Sequence, residues 1–577
     1  MGFFAGRDDD SSIGDAETTS RFVRVAEGIL DSWLAAHPEQ ASRLGVHDFD
    51  PLLGEREAGA IVDQAAVIVD SLGALDDIDD TALCDDDAVD LEIIRGRMAW
   101  ELWETTELRT FEWNPLQHSP GRSIHDLIFR PGSDLPTRLR ALASRLERFP
   151  DALQTARETL TDMPQVHVVA AIEQFCGARE LLGNRLDAVI DQAKNQHEHS
   201  ASECGPDSLG SLDRRRLDDA RDEAAAALAD HERWLIDELP HSHGDPVLGP
   251  ERFSARLWYA LDSTLTPDAV LTRAESDLIA TEELLAELSA RRGVSDPREL
   301  LAALRETGRS PHVLSMLRDQ LAASEALTAG LGIATVPDDP RDVMWTPPSY
   351  FGSGDTVSVP GSLDDDVDAL TAVSYLMIDG VPDQLSLREA DEYSEQLGEL
   401  SLASYAAREG VPGRLMQQAY ARRYRGHTRV RSVFPSASFS GGWAVYAEEA
   451  LAALRMERQP ELAWEAELLS VIGKLGVITD AIVDIRVHAH GMTEDEALRL
   501  LVERGYRSKP VAKARWRQVL LNSTELTSPF AGYTELVDLL STVTSGTTMS
   551  DDVRAGIHDE VLSHGTLAPR HLAALLI

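Results

Sequence analysis

The sequence predicts a mostly α-helical protein, a large multi-helix fold with at most a short hairpin, and three observations carry that expectation. Apolar residues recur at three- and four-residue spacing over long stretches, the pattern of a helix with one buried face. Pro and Gly gather in a few breaks between those stretches. A hydrophobic content of 43% with 26% charged residues fits an ordinary globular chain of 577 residues.

Residues 1–19 offer almost nothing to bury and read as a disordered acidic tail. From Thr19 the pattern turns helical, in SRFVRVAEGILDSWLAAH and again, after Pro136, in TRLRALASRLERFPDALQTARETL. Further helices are expected in LDDARDEAAAALADHERWLIDEL, PDAVLTRAESDLIATEELLAELSARRG and PHVLSMLRDQLAASEALTAGLG. The longest break, residues 336–366, is rich in Pro, Gly and aromatic residues; its TVSVP segment reads as a short hairpin, and a loop of that length reads as a wall of a functional cleft. From Asp368 the chain is expected to be helical to its end, with one long helix through AWEAELLSVIGKLGVITDAIVDIRVHAHG. Thr493 and Glu496 form a capping box for the helix that follows. Residues 20–577 are read as one large domain, with sub-domains 20–335 and 336–577 facing one cleft.

Charge narrows the function classes. Asp and Glu number 98 against 54 Lys and Arg, for a net charge of -44 and a pI near 4.7. Nucleic acid and anionic membrane surfaces both demand basic patches, so neither is expected as a partner. Only Lys194, Lys474, Lys509 and Lys513 are lysines, and the acidic surplus also fits a cytoplasm of high salt, where screening removes most self-repulsion. Cys84, Cys176 and Cys204 form no disulfide framework, no secretory signal is visible, and no stretch approaches the ~20 apolar residues of a membrane span. The expected compartment is the cytoplasm.

The histidine pairs His197/His199 and His241/His243 lie in polar loops and read as solvated side chains rather than metal ligands. The more informative segment is REGVPGRLMQ, where Arg408 and Arg414 flank Glu409 across a Val-Pro-Gly break. Such a pair is either a structural clamp on the carboxylate or a site for an anion. Two further segments, FSGGWAVYAEE and VDIRVHAHGMTEDEA, follow at intervals of about thirty and forty residues.

Taken together, these three segments resemble the motifs of the bacterial domain-of-unknown-function 885 family, of the forms HExxPGHxxQ, EGWAxYAE and VDxxxHxxGxTxxEA. Weaker blocks in the same order, among them EWNPLQ, LGPERFSARLWYAL and SPFAGYTELVDLL, extend the resemblance over roughly residues 20–545. The resemblance implies a zincin-like helical peptidase fold with a deep central cleft, and zinc as cofactor. Here, however, Arg408 and Arg414 stand at the motif histidines and Gly441 at the motif glutamate, while Glu409, Pro412, Gly413, Gln417, Trp443, Tyr446, Glu448, Asp484, His488 and Gly491 are kept. A guanidinium has no lone pair to give a cation, so no metal is expected.

These departures imply a catalytically degenerate relative that keeps a peptide or small carboxylate ligand in the former cleft. Glu409, at the general-base position, and His488 are the candidate catalytic residues. Arg408, Arg414, Gln417, Trp443, Tyr446, Glu448 and Tyr533 are the candidate ligand contacts. The two arginines are expected to replace the metal's charge opposite Glu409, Glu448 and Glu449. The alternative is an active hydrolase, either metal-independent or rebuilt on His427, His488, His490 and Glu448.

Overall fold

The structure is a computed structural model and describes residues 9–129, 134–190, 211–294, 296–299, 301, 312–346, 356–364, 372–379 and 399–577. The expected loop around His197 and His199, Cys204, and the first eight residues of the expected acidic tail lie outside them. Helices dominate the described residues, as expected. The first runs from Asp9 to Ala36, so it begins ten residues ahead of Thr19. The helices expected after it appear as Ser211–Glu238, Pro267–Arg291 and Val313–Gly330, and the 137–160 stretch as two helices, Leu135–Leu146 and Phe149–Thr159.

Three features depart from expectation. A three-stranded sheet replaces the short hairpin: β1 (Arg341–Thr346) runs parallel to β3 (Ser374–Asp379), and β2 (Val357–Ser358) pairs antiparallel with the other side of β3. β3 also interrupts the stretch expected to be helical from Asp368, because a short apolar run such as SYLMI fits a buried strand as well as a helix. The third is helix Ala58–Asp76, which is long and apolar enough by length and composition to cross a membrane, although Asp63 and Asp70 interrupt it. It packs on the Asp9–Ala36 and Asp85–Trp103 helices.

The centre of the C-terminal half is the contact between helices Ala437–Arg458 and Ser528–Val543. Glycines let their backbones meet: a Cβ on Gly532 would lie 1.9 Å from the Ser438 carbonyl oxygen, and one on Gly442 only 2.3 Å from the Gly532 carbonyl carbon. Trp443, fully buried, fills the core beside this crossing with Phe439, Leu415, Met416 and Leu536. The long helix Pro460–His490 ends at Gly491 in the left-handed region (φ +68), and the Thr493 capping box starts the next helix, with Thr493 N donating to Glu496 Oε2 at 2.9 Å.

Candidate functional site

Helix Glu399–Tyr405 passes into one wide turn at Ala406–Gly410 and then stops. Pro412 has no N–H to continue the ladder. Gly413 lets the chain fold back on itself, since a Cβ there would lie 1.7 Å from the Arg408 carbonyl oxygen. A new helix then starts at Arg414 and ends at Ala421. The turn is held from outside by Trp443, whose Nε1–H donates to the Pro412 carbonyl at 2.9 Å, and by the Ser324 hydroxyl, which donates to the Val411 carbonyl. Arg408, Glu409 and Arg414 therefore project from one rigid corner.

Each arginine has its own carboxylate. Arg408 Nε donates to Glu448 Oε2 at 2.5 Å, and the Ser404 hydroxyl donates to the other oxygen of Glu448. Arg414 Nε donates to Glu409 Oε2 at 2.7 Å; Thr356 Oγ1 reaches the same oxygen at 2.5 Å, and Arg414 Nη1 reaches Ser440 Oγ at 3.3 Å. Burial alone would raise Glu409, but the Arg414 charge and the hydrogen bonds from Thr356 and Arg414 hold it below the usual carboxylate range. Burial wins at Glu448 and pushes it up, with Arg408 and Ser404 pulling it back only in part. Gly473 makes room for the first pair, because a Cβ there would lie 2.6 Å from Arg408 Nη2.

The pairs lie on the wall of a cavity of about 1170 Å³, which Arg408, Glu409, Arg414 and Gly441 all line. A second cavity of about 1040 Å³ adjoins it at Thr356 and Arg414 and includes Gln417. Thr356, Val357 and residues 359–362, from the Pro- and Gly-rich break, line this second cavity.

The donor set does not fit zinc. Arg408 and Arg414 offer no lone pair, Gly441 has no side chain, and both carboxylates are occupied by guanidinium groups. A side chain at position 441 would also be crowded, since a Cβ there would meet Pro529 Cγ at 3.0 Å. Among the described residues, metal-capable side chains gather at Cys84, Asp87 and His427, a trio that includes none of this site.

The remaining candidates are each tied to neighbouring residues. Gln417 is buried and donates to Thr566 Oγ1 at 2.8 Å. Tyr446 hydrogen-bonds His558 Nε2 at 2.8 Å, and Trp443 packs edge-on against the same ring. Tyr533 donates to Glu449 at 2.5 Å and accepts from Lys474 at 2.6 Å. Glu449 is thus turned away from the arginines that it was expected to face. His488 donates from Nε2 to the Val519 carbonyl at 3.0 Å and accepts the Leu248 N–H at Nδ1, so neither nitrogen is open for chemistry. Asp484, which burial pushes up to about 7, accepts from the Thr524 and Thr527 N–H groups and the Thr527 hydroxyl, tying the long helix to the start of Ser528–Val543. The four residues of the rebuilt-site alternative do not converge: His427 faces Asp87, His490 faces Asp268, and Glu448 faces Arg408. Sequence reasoning missed Thr356, Ser440 and Gly473. It also missed Ser404, although its place four residues before Arg408 puts both on one helix face.

The family model described as "Bacterial protein of unknown function (DUF885)" matches residues 38–576. The chain belongs to the DUF885 family. Two solved structures share the fold of this DUF885 protein. One, "a putative lipoprotein of unknown function" from Shewanella oneidensis, is 21% identical with a TM-score of 0.76, covering 96% of this chain and 99% of that one. The other, "the putative lipoprotein from Colwellia psychrerythraea", is 14% identical with a TM-score of 0.75, covering 97% and 98%. No curated protein matches the sequence.

Proposed function

We propose that this DUF885 protein is a catalytically degenerate, peptidase-like protein of zincin-like ancestry, and that it holds a peptide or small carboxylate in the cavity beside Arg408 and Arg414. One observation carries the reading: the positions that resemble a zinc motif are filled by two arginine–glutamate pairs on a cavity wall. The two guanidinium groups bring positive charge to this corner and balance the carboxylates of Glu448 and Glu409. They leave no Lewis acid and no activated water. The two exposed free thiols, Cys84 and Cys176, support a reducing compartment such as the cytoplasm. The lipoprotein description belongs to the two relatives.

A mixed peptide library incubated with the protein and added zinc tests the catalytic half of this reading. The expected result is no cleavage above the protein-free control. Cleavage that disappears in Glu409→Gln would overturn it.

A further inference from the structure

The arginines at the motif positions are poor anchors for a ligand, because each is already committed to a carboxylate. The same holds for two others on the wall of the larger cavity. Arg97 pairs with Glu101 at 2.5 Å, and Arg515 donates to Gln518 at 2.6 Å with Asp480 3.6 Å away. Arg256 differs. Carried by helix Pro250–Leu261 into this cavity, it has no hydrogen-bond or ion-pair partner among the described residues. Its contact is the ring of Trp100, with the guanidinium carbon 5.7 Å from the centroid. Burial lowers its pKa, and Glu104, Asp484 and Glu525 act on it only from beyond ion-pair distance.

A half-buried guanidinium whose partners among the described residues are an aromatic ring and carboxylates beyond ion-pair distance keeps its N–H donors for a ligand, and a carboxylate entering the cavity would meet them in a fork that matches its two oxygens. The surroundings add a second requirement. Trp100, Trp258 and Tyr259 line the cavity around Arg256, with ring centroids 5.5 Å apart for Trp100 and Tyr259 and 4.9 Å for Trp258 and Tyr259. Trp258 is 47% exposed, a large apolar surface left facing the opening. Gly96, one turn before Trp100, also lines the cavity, and a Cβ there would meet only open space. Packed edge to face on one another, these rings form one apolar wall against which a flat apolar group can stack.

We propose that Arg256 anchors a carboxylate in this cavity, and that the ligand is the C-terminal residue of a peptide ending in an aromatic side chain. The inference rests on the peptide or carboxylate reading above and names the group that does the binding. Arg408 and Arg414 then shape and charge the wall, and Arg256 makes the contact.

Isothermal titration of the full chain with N-acetyl-phenylalanine, its carboxamide and N-acetylglycine tests this. The acid is expected to bind roughly tenfold or more tighter than either of the other two, since one lacks the charge and the other the ring. Arg256→Gln is expected to bring the acid down to the affinity of the amide, with Arg256→Lys between the two. The wild-type comparison of acid with amide needs no variant, so a folding defect in Arg256→Gln leaves the test intact. Equal affinity for acid and amide overturns the proposal. Tight acid binding that survives Arg256→Gln but not Arg414→Gln also overturns it, while leaving the carboxylate reading standing. Binding of none of the three removes both.

Discussion

Arg408→Glu is expected to lower the stability of the protein by about 3–5 kcal/mol, the usual cost of leaving a buried charge uncompensated. Glu448 is 3% exposed and has Arg408 as its ion-pair partner. The substitution would press a third carboxylate against Glu448 and Glu409. The denaturation midpoint reads this directly, with Arg408→Met as the neutral comparison. Adding Glu448→Gln to Arg408→Met should restore part of the loss, because the two residues act as a unit. An unchanged midpoint for Arg408→Glu would mean that the pair does not hold the corner together.

Acid is expected to unfold the protein cooperatively between about pH 6.5 and pH 4. Burial pushes His118, His167, His488 and His558 down to about 4 and His231 to about 3. A base whose folded pKa is depressed adds stability above its unfolded value near 6.5, and that stability is lost as pH falls toward the folded value. The window therefore runs from about pH 6.5 down to about pH 4. Each histidine contributes on the order of 2–3 kcal/mol across it, so a few together exceed the stability of an ordinary domain. The hydrogen bonds give the cause. His558 donates from Nδ1 to the Ile333 carbonyl and so accepts the Tyr446 hydroxyl at Nε2; a second proton would end that bond. His488 would lose the Leu248 N–H in the same way. A pH titration by circular dichroism should show the midpoint moving to lower pH in His558→Gln. A fold that persists unchanged to pH 4 would contradict this picture.

Much of the helical frame is legible in the sequence because long amphipathic periods leave little choice of structure. The capping box at Thr493 and the left-handed Gly491 are local enough to be read from a few residues. The three-stranded sheet is not, since β1 and β3 are joined only through pairing of segments about thirty residues apart, and SYLMI has no period that favours a strand. At the site, the break at Val411–Gly413 is visible from Pro and Gly. The partner of each arginine is not. Glu448 and Glu449 are adjacent in sequence but about 100° apart around their helix, so only Glu448 faces Arg408, while Glu449 turns to Lys474 and Tyr533. Trp443 and Tyr446, at i and i+3 on one helix, read more readily as core packing than as a ligand platform, and they hydrogen-bond Pro412 and His558. Arg256 lies in one of the weaker blocks of the resemblance, LGPERFSARLWYAL, and stands out only when its neighbours are known.

The metal content of the purified full chain, measured by inductively coupled plasma mass spectrometry before and after dialysis against excess zinc, bears most directly on the replacement of a metal by two arginine–glutamate pairs. Less than a tenth of an equivalent, on the order of background, is expected at the cavity, with any zinc gained on dialysis removed by Cys84→Ser, which touches only the Cys84, Asp87 and His427 trio. One tightly held metal per chain that survives Cys84→Ser and disappears in Glu448→Gln or Glu409→Gln would contradict the replacement.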